Sequence, residues 1–310
     1  MVVQVLFAAG DADWPDYREA LPAACADLGI DIALSVQAAD PASVDYIIFS
    51  PGGTTRDFTP FTRCKAVLSL WAGVEKYAGN PTLTQPLCRM VNHELTESMV
   101  EYVVGHVLRH HLGMDTYRQD GQWRNAILPP LARERPVTVL GLGALGGACA
   151  QALAALKFPV TGWSQSAKNL PGVTCLSGVE GMERALAGAA ILVCLLPQTA
   201  DTIDLLDARH LALLPRGAAI INPGRGALID DDALLAALDT GRIGHATLDV
   251  FRTEPLPPDH RYWGHRRVTV TPHIAADTRA GSAARMLAEN IRRGQAGERF
   301  LHLVDRARGY

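Results

Sequence analysis

Val137-Thr138-Val139-Leu140-Gly141-Leu142-Gly143-Ala144-Leu145-Gly146 is the stretch that decides how this chain folds. Val137–Leu140 reads as a buried strand, and Leu145–Leu156 reads as an apolar helix opening directly behind the glycines. Gly141 permits the tight turn, Gly143 lets backbone approach a pyrophosphate, and Gly146 allows helix and strand to pack closely. Ala144 and Leu145 lie in the same turn, where the positive end of the helix favours phosphate. Strand, glycine turn and helix in that order predict a dinucleotide-binding unit.

About twenty residues further on, such a unit usually carries a carboxylate for the adenosine ribose. Here the chain has Trp163-Ser164-Gln165-Ser166-Ala167-Lys168, with no acid. Hydroxyls, an amide and an ammonium accept a 2′-phosphate that a carboxylate would repel, so NADP is favoured over NAD.

On either side the same rhythm continues. Before the motif, Val2–Phe7, Ile32–Val36, Tyr46–Phe49, Ala66–Leu70 and Leu87–Val91 read as strands, and Asp13–Leu28 and Glu97–Tyr117 as helices. Asp120–Pro136, broken by Gly121 and three prolines, reads as a crossover and a seam between domains. After it come strands at Val160–Trp163, Ile191–Leu195, Ala218–Ile221, Thr247–Val250 and Val268–Val270. Asp231–Thr240 reads as a helix capped by Asp230 and ended at Gly241, and Ser282–Ile291 as a final helix. Short apolar strands alternating with helices predict an α/β protein with parallel sheets.

Composition narrows the function. In 310 residues, 48% are hydrophobic and 20% charged, enough apolar material for sizeable cores. With 29 basic and 32 acidic residues, the net charge of −3 offers no footprint for nucleic acid or an anionic membrane. No apolar run approaches the ~20 residues that cross a bilayer, and the opening Met1–Phe7 run has no basic leader. The 6 cysteines lie far apart without a CxxC pair, as expected of thiols in a reducing cytoplasm. His106, His110 and His111 share a helix, but no further ligand joins them, so a polar interface face is expected there and no metal.

Three polar residues follow three successive strands, at the edge where open α/β sheets bind ligands. Arg225 lies in Asn222-Pro223-Gly224-Arg225-Gly226, Glu254 in Asp249-Val250-Phe251-Arg252-Thr253-Glu254, and His273 in Thr271-Pro272-His273-Ile274-Ala275. A guanidinium clamps a carboxylate, an imidazole passes a proton near neutral pH, and a carboxylate behind it keeps it charged.

These motifs, with NPGRGALIDDDALLAALDTGRIGHATLDVFRTEPLP and VTPHIAADT, resemble the signatures of the D-isomer-specific 2-hydroxyacid dehydrogenases, above all its glyoxylate/hydroxypyruvate reductases. The resemblance implies two flavodoxin/Rossmann-like domains: a substrate domain, 1–98 with 280–310, and a dinucleotide-binding domain, 99–279, inserted into it. It implies catalysis by Arg225, Glu254 and His273 in a cleft between domains, and a homodimer. Trp71-Ala72-Gly73-Val74-Glu75 resembles the substrate-carboxylate loop, with Gly73 and Val74 donating N–H groups and the bulky Trp71 departing from the usual small residue. Leu196, Pro197 and Thr202 resemble a cofactor-side turn, Asn222, Pro223, His273 and Ala275 belong to the same surroundings, and Asp249 is expected near the nicotinamide amide. Gln165 stands where the reductases tend to have arginine. Reduction of small 2-oxo acids is the implied activity. Alternatives are a dinucleotide-sensing co-repressor-like module or another dehydrogenase of the family, acting on phosphoglycerate, formate or phosphite.

Overall fold

The computed structural model describes residues 2–53, 55–116, 123 and 128–309. The chain forms two compact units, one of residues 1–95 with 277–310 and one of residues 96–276. The chain crosses between them inside a helix, at 95/96, and again at 276/277, so the proline-bearing stretch Asp120–Pro136 is not the seam; its residues 120–122 and 124–127 lie outside the described ones.

In the first unit, β1 (Val3–Ala8), β2 (Ile32–Ser35), β3 (Tyr46–Phe49), β4 (Ala66–Ser69) and β5 (Leu87–Cys88) form one parallel sheet in the order β2-β1-β3-β4-β5. β3 and β4 are buried throughout, which is why they read as unbroken apolar runs. Helix α1 (Trp14–Asp27) packs against the last helix, α8 (Ala280–Ala296), so both ends of the chain build this unit. A short helix, α2 (Glu75–Ala78), follows β4.

The second unit opens within α3 (His93–Leu112), which ends where Gly113 takes a left-handed φ of 64°. It runs five residues less far than the expected helix, whose Tyr117 is outside the described residues. Seven parallel strands follow: β6 (Val137–Leu140), β7 (Val160–Trp163), β8 (Val173–Leu176), β9 (Ile191–Cys194), β10 (Ala218–Asn222), β11 (Ile243–Leu248) and β12 (Val268–Val270). Their order is β12-β11-β10-β9-β6-β7-β8. The chain reverses its direction of travel between β6 and β9, the place where such sheets take ligands. The helices between them are α4 (Ala144–Ala155), α5 (Gly178–Ala187), α6 (Ala208–Leu213) and α7 (Asp231–Asp239).

Alternate residues of each strand feed opposite cores. Ile191 and Val193 of β9 join Val137 and Val139 on one face, while Leu192 and Cys194 join Leu140 and Leu248 on the other. Asp230 caps α7 through its carboxylate, which accepts from the Ala233 N–H at 3.0 Å. β8 and α5 escaped the sequence reading, because β8 is an edge strand with no fully buried residue. β11 begins four residues before its expected start, since Gly244 and His245 interrupt its apolar pattern.

Candidate active site

The fit to a dinucleotide begins at the glycine turn. Gly141 has a φ of 100°, and a side chain there would meet the Leu195 carbonyl oxygen at 2.5 Å. At Gly146 a Cβ would collide with the Gly141 carbonyl oxygen, whereas at Gly143 nothing lies within 4 Å. Two glycines thus close the turn and the third leaves open space beside the start of α4, a 12-residue helix whose first N–H groups, at Ala144, Leu145 and Gly146, face the turn's end. The residues present fit a bound pyrophosphate.

The other cofactor candidates follow the C-terminal ends of neighbouring strands. Trp163 closes β7 and donates its indole N–H to the Gly178 carbonyl at 2.9 Å. Ser164 is buried, and its hydroxyl donates to the Ser166 carbonyl at 2.8 Å, shaping the turn. Gln165, Ser166 and Lys168 are exposed. After β9, the Thr202 hydroxyl donates to the Pro197 carbonyl and accepts from the Thr199 N–H, both at 2.7 Å, bracing the turn that Leu196 opens. After β10, the buried Asn222 donates to the Arg225 carbonyl at 3.0 Å and accepts from the Gly224 N–H at 3.1 Å, fixing the loop around Pro223.

β10, β11 and β12 are adjacent and parallel, so Arg225, Glu254 and His273 leave the same edge of this sheet. The structure brings the acid and the imidazole together: His273 Nδ1 lies 2.7 Å from Glu254 Oε2. The other oxygen, Oε1, accepts from the Phe251 N–H at 2.8 Å. Glu254 is therefore held at both oxygens, and the contact with His273 leaves that ring's Nε2 outside it. The hydrogen bond from Glu254 raises the His273 pKa, against burial; the charges of Glu254 and Asp249 add to the rise and that of Arg225 opposes it. Burial pushes Glu254 up, but the bonds from His273 and Phe251 and the charges of His273 and Arg225 outweigh it, and its pKa is lowered. Arg225 donates from Nη1 to the Gly224 carbonyl at 2.7 Å and belongs to the same electrostatic cluster.

Asp249, at the end of β11, has 0% exposure, and its carboxylate is engaged by its own surroundings. Oδ1 accepts from the Thr271 hydroxyl at 2.6 Å and the Ile274 N–H at 2.9 Å, and Oδ2 from the Ala275 N–H at 2.9 Å. Its main-chain carbonyl takes the His273 N–H at 2.9 Å. Thr271 was missed in the sequence; a hydroxyl two residues before the histidine, one strand away from a buried acid, is the signal that was there.

In the first unit, Trp71, Gly73 and Val74 follow β4. The Trp71 N–H donates to Ser69 Oγ at 3.0 Å, the residue is exposed, and Val74 is buried ahead of α2. Of the histidines of α3, His111 is buried edge-on to Phe158, and His110 Nε2 lies 2.9 Å from Thr247 Oγ1, so both pack against other elements of the second unit. Among the described residues no group of three or more His, Cys, Asp or Glu is placed to hold a metal, and no helix is long and apolar enough to cross a membrane.

Comparison with known proteins agrees with this geometry. Residues 102–275 match the family described as D-isomer specific 2-hydroxyacid dehydrogenase, NAD binding domain. A D-isomer specific 2-hydroxyacid dehydrogenase from Xanthobacter autotrophicus Py2, solved with NADPH and MES, is 38% identical over 100% of both chains, with a TM-score of 0.92. An NADPH-dependent glyoxylate/hydroxypyruvate reductase from Sinorhizobium meliloti, solved with NADP and sulfate, is 32% identical over 99% of both chains, with a TM-score of 0.84. A 2-hydroxyacid dehydrogenase from Rhizobium etli CFN 42, described as probable and solved with NADP, HEPES and L(+)-tartaric acid, is 28% identical over 99% of both, with a TM-score of 0.88. With a glycine turn shaped for a dinucleotide, an Arg, Glu and His set at one sheet edge, and these relatives, the chain belongs to the D-isomer specific 2-hydroxyacid dehydrogenase family.

Proposed function

We propose that this protein reduces small 2-oxo acids, glyoxylate and hydroxypyruvate first among them, to 2-hydroxy acids with NADPH. The observation that carries the reading is the 2.7 Å contact between His273 and Glu254 on the sheet edge that also delivers Arg225. When bound, the reduced nicotinamide supplies hydride to the carbonyl carbon. Protonated His273 gives its proton from Nε2 to the carbonyl oxygen, and Glu254 keeps the ring charged and oriented. Arg225 takes the substrate carboxylate, because a guanidinium matches it with two parallel N–H donors. The Gly73 and Val74 N–H groups are proposed as further carboxylate donors.

Two things support NADPH: the relatives solved with NADPH or NADP, and the absence of any acid between Trp163 and Lys168. Since the Ser164 hydroxyl is committed to the Ser166 carbonyl, the donors for a 2′-phosphate are Gln165, Ser166 and Lys168. The family likeness supports a homodimer, and the composition a cytoplasmic one. Initial rates with glyoxylate, hydroxypyruvate, pyruvate and phenylpyruvate, each with NADPH and NADH, test the reading. Turnover of none of the four would turn the reading to the dinucleotide-sensing module or to another dehydrogenase of the family.

A further inference from the structure

Tyr102 stands on α3, away from Arg225, Glu254 and His273 in sequence, yet it is bonded into the loop that carries the imidazole. We infer that Tyr102 is a positioning residue for His273, acting through a relay of Thr271 and Asp249, an assignment that rests on reading His273 as the proton donor.

The need for such a relay comes from the backbone. His273 has a φ of 54°, in the left-handed region that a residue with a Cβ rarely adopts. A conformation of that kind persists only where its surroundings over-determine it. Here Asp249 does so by taking three consecutive N–H groups, those of His273, Ile274 and Ala275, on its carbonyl and its two carboxylate oxygens. A carboxylate with no exposed surface depends on such donors. Its third, after the Ile274 and Ala275 N–H groups, is the Thr271 hydroxyl at 2.6 Å.

A hydroxyl has one proton. Thr271 gives its own to Asp249, so the 2.7 Å contact between Thr271 Oγ1 and the Tyr102 hydroxyl must be donated by Tyr102. Burial raises the Tyr102 pKa far above the ordinary phenol value, so it stays a donor throughout the working pH range. The two hydroxyl bonds then run in one direction, from Tyr102 to Thr271 to Asp249, and Asp249 also accepts the N–H groups of His273 and of the two residues after it. Without Tyr102 the Thr271 side chain is free to rotate, since threonine has more than one accessible χ1. The oxygen that holds Ile274 would then lose its second donor. Tyr102 also lies on the His106 ring at 4.4 Å, with Arg109 and Asp249 as its charged neighbours; those of His273 are Glu254, Asp249 and Arg225.

The test uses the full chain with Tyr102→Phe, Thr271→Val, Thr271→Ser and the Tyr102→Phe/Thr271→Val double variant. NMR titration of the His273 imidazole, assigned with His273→Gln, reads the placement of the ring without any substrate. Steady-state kinetics with glyoxylate and NADPH read its effect. Tyr102→Phe and Thr271→Val are expected to shift the His273 titration to lower pH, because the ring no longer seats fully on Glu254. Tyr102→Phe should lower kcat by ~5–10-fold, the size of one lost neutral hydrogen bond, and Thr271→Val, which also removes the bond to the Asp249 carboxylate, by more, both with little change in cofactor KM. Thr271→Ser should keep both properties close to wild type. The double variant should match the worse single one, as members of one relay are not additive. An unmoved His273 titration in both Tyr102→Phe and Thr271→Val, even with a lower melting temperature, would overturn the relay, as would a Thr271→Ser protein as impaired as Thr271→Val. A wild-type chain that reduces none of the 2-oxo acids would remove the proposed reaction instead, and the titration would still decide the relay.

Discussion

His273 and Glu254 sit 19 residues apart on loops after different strands, yet their side chains meet at 2.7 Å through Nδ1 and Oε2. That contact assigns the two ring nitrogens different work. Nδ1 is tied to the acid, so in the proposed reaction proton transfer falls to Nε2.

The pH dependence follows from the raised His273 pKa. The protonated ring is the reactive form for reduction, so kcat/KM should hold at low pH and fall as pH rises through that pKa. Glu254→Gln removes the largest cause of the rise, and the falling limb should move to lower pH. A superimposable profile for the variant would separate the two side chains functionally.

Replacing His273 by Gln removes the proton donor but leaves the glycine turn untouched. Carbonyl reduction should fall by ~10²–10⁴-fold, the usual contribution of a general acid. Cofactor affinity, read by fluorescence titration with NADPH, should change little. Near wild-type turnover would take His273 out of the mechanism.

For Arg225→Lys the charge survives and the planar fork does not. KM for the oxo acid should rise and kcat should fall together, since the lost bond serves both bound substrate and transition state. A rise confined to the cofactor KM would move Arg225 to the dinucleotide.

Cofactor preference should favour NADPH, though modestly, because Gln165, Ser166 and Lys168 are all exposed. A well-placed hydrogen bond to a charged group contributes roughly 1.5–3 kcal/mol, and solvent brings an exposed one to the lower end. Gln165→Arg should increase the NADPH preference and Lys168→Ala should reduce it. The ratio of kcat/KM for NADPH and NADH across these proteins decides, and a wild-type preference for NADH would defeat the assignment.

The sheets were legible because strands such as β3, β4, β6 and β9 are buried on both faces and read as unbroken apolar runs. The edge strand β8 was not, since one exposed and three half-buried residues leave no such run. Arg225, Glu254 and His273 could be picked out by residue type and by their places after successive strands. The role of Asp249 within its loop could not, because that depends on a carboxylate folding back on N–H groups more than twenty residues away. Tyr102 was silent for a related reason: on a helix, one tyrosine among apolar neighbours carries no mark of the hydroxyl it will meet.

The seat of α3 sets an acid boundary on this protein. Burial holds His110 neutral and pushes its pKa down to about 3, with the charges of His245 and Arg109 adding to the effect; burial also lowers His106, His111 and His245. A histidine titrating at about 3 when folded and near the ordinary 6.5 when unfolded stabilises fully above the unfolded value. Between those two pH values the unfolded chain binds the extra proton, so stability declines as pH falls, by up to about 1.4 kcal/mol per unit for one such group. Melting temperatures measured from pH 8 to pH 4 should therefore drop on the acid side, and His110→Gln should flatten the drop. His273 works in the opposite sense, its charged form lost as pH rises. One unit thus contains two kinds of histidine with opposed protonation needs, and the proposed reaction requires the interval in which His273 is charged while the buried histidines of α3 and β11 are not.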